Sequence, residues 1–419
     1  MHRPSVYPPD LARYVEAHWP ATNPLTVPLP LLEEALSAAF QASLTAEEAR
    51  PTRFRLLLTT PEQLPDSGVP NQGVLRLKFD RTRPLTADEL RRLAPAVPFE
   101  TALIAAHAEQ GKLRIWGVTH SGPAWLAPTW GGRSIVPNWT YDPIIHVTAP
   151  GQIAVRCAGQ LIGALERGLL VDAALDVFDS NWLPTLFARE RQAIQDEHAA
   201  LQAGVASKTA VEHSLIGKVA QQMLRRAIQL VRGARHGGLL LVVDTSNGEA
   251  QPLSGLRLKY SLARDEPSRR YRTLLFQIIE AVATMTDKDS VGWADFASNQ
   301  SARFEELEQA VFEQSRVLAN LTAIDGALVL DKRFSVLGFG AEVSAELPTP
   351  SKVWRAIDTE GHVRQPEDIE NVGTRHRAAY RFVNDHPDGL AVVISQDGGV
   401  SFVANREQQV VFWEQSVSP

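Results

Sequence analysis

The stretch Gly373-Thr374-Arg375-His376-Arg377 joins a glycine, a hydroxyl and three basic side chains, and Ala378, Ala379, Phe382 and Val383 follow at helical spacing. Glycine lets a backbone come close to a ligand. Threonine caps a helix, and the free N–H groups of a helix start favour an anion. Arg375 and Arg377 cannot lose their charge and can fork two bonds onto phosphate. Arginine at a helix start also opposes the helix dipole. The spacing therefore leaves two readings open, a seat for phosphate and a solvated helix start. A second stretch, Asp325-Gly326-Ala327, sets a carboxylate just before an apolar run. A carboxylate at a strand edge beside glycine suits a divalent metal near a flat ligand, and Asp-Gly is equally an ordinary turn. In Ser395-Gln396-Asp397, the aspartate stands before Gly398, so it reads either as a ligand or as the first residue of a tight turn.

Helices and strands must position these groups. Residues 1–30, rich in proline, read as an irregular lead-in ending near a helix at about 30–45. Strands are expected at 54–60, 73–80, in "KLRIWGVTH" and in "IIHVTAPGQIAVRCAG", with a helix in "TADELRRLAPAV". "QLIGALERGLL" reads as a further helix. The part up to about 180 is thus an α+β module. A charged helical segment, 186–204, connects it to the second half of the chain. Leu215, Val219 and Met223, with Ile216, Leu224, Ile228 and Val231, mark an amphipathic helix that should stop at Gly237-Gly238. "LLLVVDTS" is a buried strand. Two more helices come next, in "PSRRYRTLLFQIIEAVATMT" and "SARFEELEQAVFEQSRVLANL". Two hairpins turn at Asp331–Phe334 and at Asp397-Gly398, and the basic stretch lies between them.

A chain of 419 residues is too long for one ordinary core. Its 44% apolar and 21% charged residues fit a globular protein. The net charge of -6 argues against nucleic acid as a partner. Cys157, the single cysteine, stands among Ile153, Val155 and Leu161 and reads as a small buried hydrophobe. The opening residues lack the apolar run of a signal peptide, and no membrane span is expected, so the expected location is cytoplasmic.

Other signals are weaker. Gly338-Phe339-Gly340 is a tight spot in a sheet, not a dinucleotide fingerprint. Arg225, Arg226, Arg232 and Arg235 form a basic edge, read as a solvated face or as a contact to nucleotide. Trp116, Trp125 and Trp130 read as packing or as the frame of a ligand pocket. His107, His120 and His146 are too scattered for a metal site.

Taken together, "DGALVLDKRFSVLGFGAEV", "GTRHRAA" and "AVVISQDGGVSFVA" resemble the diadenylate cyclase (DAC, or DisA-N) domain, whose two signature motifs are Asp-Gly-Ala and Gly-Thr-Arg-His-Arg. "GARHGGLLLVVDT" and "SGLRLKYSL" are similar to its first core strand and the following segment. The resemblance spans roughly 210–415. The preceding half is similar to a sensor domain found ahead of some such domains (DACNV-like). The resemblance implies a fold class of α/β (α+β): a C-terminal mixed β-sheet flanked by helices and a separate N-terminal α+β domain. The implied organisation is a sensor domain at 1–185, a helical connector at 186–209 and a cyclase domain at 210–419. The implied reaction joins two ATP into cyclic di-AMP with release of diphosphate, in a face-to-face homo-oligomer and with Mn2+ or Mg2+. Asp325 is carried over as metal ligand and as base for the 3′-hydroxyl. Gly326 and Ala327 line the nucleotide. Gly373, Thr374, Arg375 and His376 hold it by its phosphates, and Arg377 supports that loop. Ser395 stands where the family has a serine before an acidic pair, and Asp397 is a second metal ligand. The family often has Ser-Glu-Glu there, against Ser395-Gln396-Asp397 here. The connection 346–371 is longer than usual and can serve as a lid or alter assembly. The rival expectation is a nucleotide-binding sensor of the same fold that no longer joins two nucleotides.

Overall fold

The computed structural model describes residues 6–47, 50–64, 74–122, 124–133, 141–166, 168–171, 175–201, 209–245, 253–285, 288–369 and 372–415. The fold is α+β, with helices packed on mixed sheets. The chain divides into two compact units. The first holds the described residues of Met1–Leu126 and Ile135–Ala174, the second those of Ala127–Ser134 and Leu175–Val417. Among the described residues no helix is long and apolar enough to cross a membrane.

In the first unit come α1 (Pro8–His18), α2 (Leu29–Ser43), β1 (Phe54–Leu58), β2 (Leu75–Pro84), α3 (Ala87–Leu93), β3 (Ala102–Glu109) and β4 (Lys112–His120). They are followed by β5 (Ile144–Ala149), β6 (Gln152–Cys157), β7 (Gln160–Glu166) and β8 (Leu169–Val171). The sheet order is β8-β7-β6-β5-β1-β3-β4-β2, antiparallel except where β1 lies parallel to β3. Leu11, Leu32, Leu36, Phe54, Leu56, Ile145 and Val155 belong to its core.

Two expectations fail in this unit. The proline-rich lead-in contains α1. Pro8 and Pro9 occupy its first turn, where the missing N–H has no partner to lose, and Asp10 accepts a bond from the Tyr7 N–H at 2.9 Å. "QLIGALERGLL" forms β7 and β8, with Arg167 outside the described residues, and is not a helix. A two-residue turn at Ala158-Gly159 folds the chain straight back, pairing Cys157 with Gln160. Leu161, Ala164 and Leu165 fit a helical period as well, so tertiary pairing decides. Cys157 is buried as expected, and burial pushes its thiol up.

The second unit holds α4 (Trp182–Leu186), α5 (Ala188–Leu201), α6 (His213–Ala234), β9 (Gly238–Val243), α7 (Arg270–Thr284) and α8 (Ala302–Leu321). Then come β10 (Ala327–Asp331), β11 (Val336–Val343), β12 (Val353–Ala356), β13 (Arg364–Glu367), α9 (Thr374–Asp385), β14 (Leu390–Ile394), β15 (Val400–Arg406) and β16 (Gln409–Gln415). Strand order is β11-β10-β9-β14-β15-β16-β12-β13, with short pairings at Leu256–Arg257 and Tyr260–Ser261 along β11. β9 is parallel to β10 and β12 to β16; the other pairs are antiparallel.

β9 and β14 carry no polar side chain, and β10 carries none before Asp331, because both faces are covered. Leu240, Val242, Leu328 and Leu330 meet the core of α6, α7 and α8, while Leu239, Leu241, Ala327 and Val329 meet that of α9. Helix α9 buries Ala379, Tyr380, Phe382 and Val383 there. Each such large apolar side chain contributes roughly 1.5–3 kcal/mol, which fixes the helix against the sheet. The 346–371 connection is not a loose loop. It makes the β12–β13 hairpin at the sheet's edge, with β15 and β16 between it and β14. Glu370 and Asn371 lie outside the described residues.

Candidate functional site

Topology gathers the chemistry-bearing residues at one end of the second sheet. β9 and β10 run parallel with Leu240 opposite Leu328, so Gly237-Gly238 and Asp325-Gly326 start them at the same end. β14 runs the other way, with Ile394 opposite Gly238, and so ends there at Ser395. At about 4.8 Å between strands, Asp325 and Ser395 stand roughly 10 Å apart across β9.

The Asp325 carboxylate is exposed and, among the described residues, makes no hydrogen bond or ion pair. Its backbone is tightly set. Gly326 has φ +112, and a Cβ on it would lie 2.6 Å from the Gly340 carbonyl carbon. Only glycine fits so crowded a left-handed position. Gly338 and Gly340 sit in β11, the expected tight spot in a sheet.

The first turn of α9 lies at the same end. Gly373 is its N-cap and no side chain caps it, which leaves N–H groups for another partner. Thr374 and Arg377 are exposed. Arg375 is half-buried and donates to the His236 carbonyl at 3.1 Å. A Cβ on Gly237 would come within 2.7 Å of the Arg375 Nη1 and 2.9 Å of the Ile394 carbonyl oxygen. Gly237 thus lets the guanidinium lie flat on the strand end. His376 is half-buried with Nε2 3.4 Å from the Ser401 hydroxyl. Burial holds its pKa below the ordinary value, with Glu414 and Asp397 opposing. It is a neutral imidazole near pH 7.

Ser395 and Asp397 frame the β14–β15 turn. The Ser395 N–H bonds the Gly399 carbonyl at 2.8 Å, and the Asp397 Oδ1 accepts from the Gly399 N–H at 3.2 Å. Asp397 therefore has a turn role, while Asp325 is uncommitted. Among the described residues no three His, Cys, Asp or Glu side chains cluster to hold a metal. Magnesium is commonly bound by one or two carboxylates together with substrate phosphates, and Asp325 fits that donor set.

Several contributors were not evident from motif spacing. Arg232 donates to the Gly398 carbonyl at 2.8 Å and braces the turn; burial pushes its pKa down to about 10. The supposed basic edge is therefore not one solvated face. Arg225 is buried and paired with Asp176 at 2.6 Å, and the Arg226 guanidinium lies 4.8 Å from the Phe312 ring centroid. Lys259 and Tyr260 are also new. A Cβ on Gly340 would be 3.2 Å from the Lys259 Cβ and 3.5 Å from the Asp325 carbonyl oxygen. Lys259 thus starts close to the Asp325 backbone, with its exposed Nζ 5.4 Å from the Tyr260 ring centroid, and exposed Tyr260 stacks on Phe339 at 4.8 Å. Only the "SGLRLKYSL" segment hinted at them.

In the first unit the tryptophans pack instead of framing an open pocket. The Trp116 indole donates to the Thr59 carbonyl and that of Trp125 to the Glu100 carbonyl, both at 2.8 Å. Trp130 belongs to the second unit. His146 is buried between Phe99 and Trp125, while His120 is exposed at a strand end. Residues 25–120 match a family model described as "Probable sensor domain DACNV". No curated protein matches the chain. The match covers α2 to β4 of the first unit and supports a sensor role associated with diadenylate cyclases.

Proposed function

We propose that the chain is a diadenylate cyclase, with residues 1–185 as sensor, 186–209 as connector and 210–419 as the cyclase domain. The observation that carries this reading is the convergence of Asp325-Gly326, the first turn of α9 and the Ser395–Gly399 turn at one sheet end. The sensor match to residues 25–120 supports it independently.

In this reading the open N–H groups of α9, with Thr374, Arg375 and Arg377, hold an ATP triphosphate, and Gly326 lies against the nucleoside with the backbone of Ala327, whose side chain is buried in the core. Two domains meet face to face in a homo-oligomer. The 3′-hydroxyl of each ATP attacks the α-phosphorus of the other. A P–O bond forms to the 3′-oxygen, the α–β bridging bond breaks, and diphosphate leaves with its electron pair. Asp325 accepts the hydroxyl proton. His376, neutral and half-buried, serves as a hydrogen-bonding partner to phosphate. Bound Mn2+ or Mg2+ would neutralise charge on the phosphates, with Asp325 as its protein ligand. Such transfer depends chiefly on in-line placement and charge neutralisation.

A second reading, a nucleotide-binding sensor without turnover, is favoured by one observation. The Asp397 Oδ1 already accepts the Gly399 N–H of its own turn, which leaves one of its carboxylate oxygens, rather than two, for a metal shared with Asp325. Incubation with ATP and Mn2+ followed by mass spectrometry separates the two. Cyclic di-AMP supports the cyclase; bound but unconverted ATP supports the sensor.

A further inference from the structure

Helix α6 ends at the sheet end that carries Asp325, and two arms of the candidate site hang from its last turn. Arg375 of α9 donates to the carbonyl of His236, two residues past the helix, at 3.1 Å. Arg232, one turn earlier, donates from Nε to the Gly398 carbonyl in the β14–β15 turn at 2.8 Å. Arg235 closes the helix with a left-handed backbone, φ +57, its N–H on the Arg232 carbonyl at 3.1 Å.

The turn's own bonds run within itself. The Ser395 N–H meets the Gly399 carbonyl at 2.8 Å, the Gly398 N–H meets the Ser395 carbonyl at 3.0 Å, and Asp397 accepts from the Gly399 N–H. These bonds close a tight turn, and none of them ties its tip to another element. The Arg232 bond does, across 166 positions of sequence. The guanidinium is itself held, since Nη1 donates to the Gln229 Oε1 at 2.7 Å on the same helix. A Cβ on Gly398, φ +92, would lie 3.8 Å from both Nε and Nη2 of Arg232, so the group packs directly against the turn. A side chain locked on a helix in this way fixes the position of what it bonds.

We propose that Arg232 is a positioning residue for nucleotide binding: through the Gly398 carbonyl it holds Ser395 and Asp397 at the sheet end shared by Asp325 and Arg375. This rests on the nucleotide site proposed for that end and deepens it. The contact that matters is the Nε–H donor, which stands at the same place along the side chain as the amide nitrogen of glutamine. Lysine keeps the charge but puts a methylene there, and methionine removes both charge and donor.

The probe is α,β-methylene-ATP with Mn2+, whose α–β linkage does not break, titrated calorimetrically into the full chain alongside thermal melts. Arg232→Met should weaken its binding about tenfold. Arg232→Gln should stay within about twofold of the parent, and Arg232→Lys should be as weak as Arg232→Met. In a Ser395→Ala/Asp397→Ala background, Arg232→Met should add less than about threefold. If Arg232→Met does not fold, the Arg232→Gln and Arg232→Lys results decide. Parental affinity in Arg232→Met, even with a lowered melting temperature, overturns the proposal, because a purely structural brace would give that result. Rescue by Arg232→Lys and not by Arg232→Gln overturns the route through the Gly398 carbonyl, as does a further tenfold loss in the double-alanine background. A parent that binds no nucleotide overturns the proposal together with the site. A parent that binds the probe but forms no cyclic di-AMP from ATP sinks the cyclase reading alone, and the order of the variants still decides the role of Arg232.

Discussion

Both units place arginine against a mixed sheet, and they treat its charge in opposite ways. In the first, Arg55 on β1 is 1% exposed; its guanidinium lies 3.9 Å over the Trp125 ring and donates to the Ser121 hydroxyl at 3.1 Å. Burial pushes its pKa down to about 9. In the second, Arg375 is half-buried at a strand end, braced by one carbonyl, with exposed Arg377 and uncommitted Asp325 at the same end. A charge enclosed by rings and hydroxyls holds structure together. Charges gathered at strand ends keep part of their hydrogen-bonding capacity free, which is what the proposed nucleotide site requires. The difference lies in what surrounds the charge, since the residue type is the same.

That contrast can be broken by substitution. The largest effect is expected from Asp325→Asn or Arg375→Ala. Either should lower cyclic di-AMP formation at least about 100-fold, with the melting temperature nearly unchanged. Parental rates in both variants would remove the second site from consideration. Arg55→Ala should do the reverse, costing about 2–3 kcal/mol by denaturant unfolding through lost packing, with ATP affinity retained. Gly237→Ala sharpens the comparison. Its φ of +67 and the 2.7 Å approach to Arg375 predict a loss of about 1–2 kcal/mol together with weaker ATP binding. Lys259→Ala should raise the KM for ATP about threefold with little change in stability, read from steady-state kinetics.

The smallest effect concerns His376. Its folded-state pKa is depressed, so the unfolded chain binds a proton more readily below the ordinary value of 6.5. The stability this group contributes is present above that value and is lost as pH falls through the lower folded pKa. Thermal melts of the parent and His376→Gln should therefore diverge on going from about pH 7.5 to about pH 5.5, with the parent falling faster. Parallel curves would show that the ring is not buried as described.

The helices and strands of the second unit were largely legible because their periodicity is strong and their turns carry glycine or Asp-Gly. The motif residues Asp325 and Gly373–Arg377 were legible as candidates from type and spacing. Two elements of the first unit were not. Prolines in "YPPD" read as a break but open a helix, and "QLIGALERGLL" fits two periods. The roles of Arg225, Arg232 and Lys259 were hidden because their partners, Asp176, the Gly398 carbonyl and the neighbourhood of Gly340, are distant in sequence.

By itself the sequence determined which groups were available: arginines that keep their charge, a carboxylate beside glycine, and strands apolar enough for a two-sided core. Only the tertiary structure decided which of them share a place. Parallel pairing of β9 with β10 and antiparallel pairing with β14 set Asp325, Gly237 and Ser395 at one end, and α9 brought Arg375 to them. Pairing register and long-range packing, not local propensity, choose the partners of a charge. The same packing buried Arg55 and left Asp325 exposed.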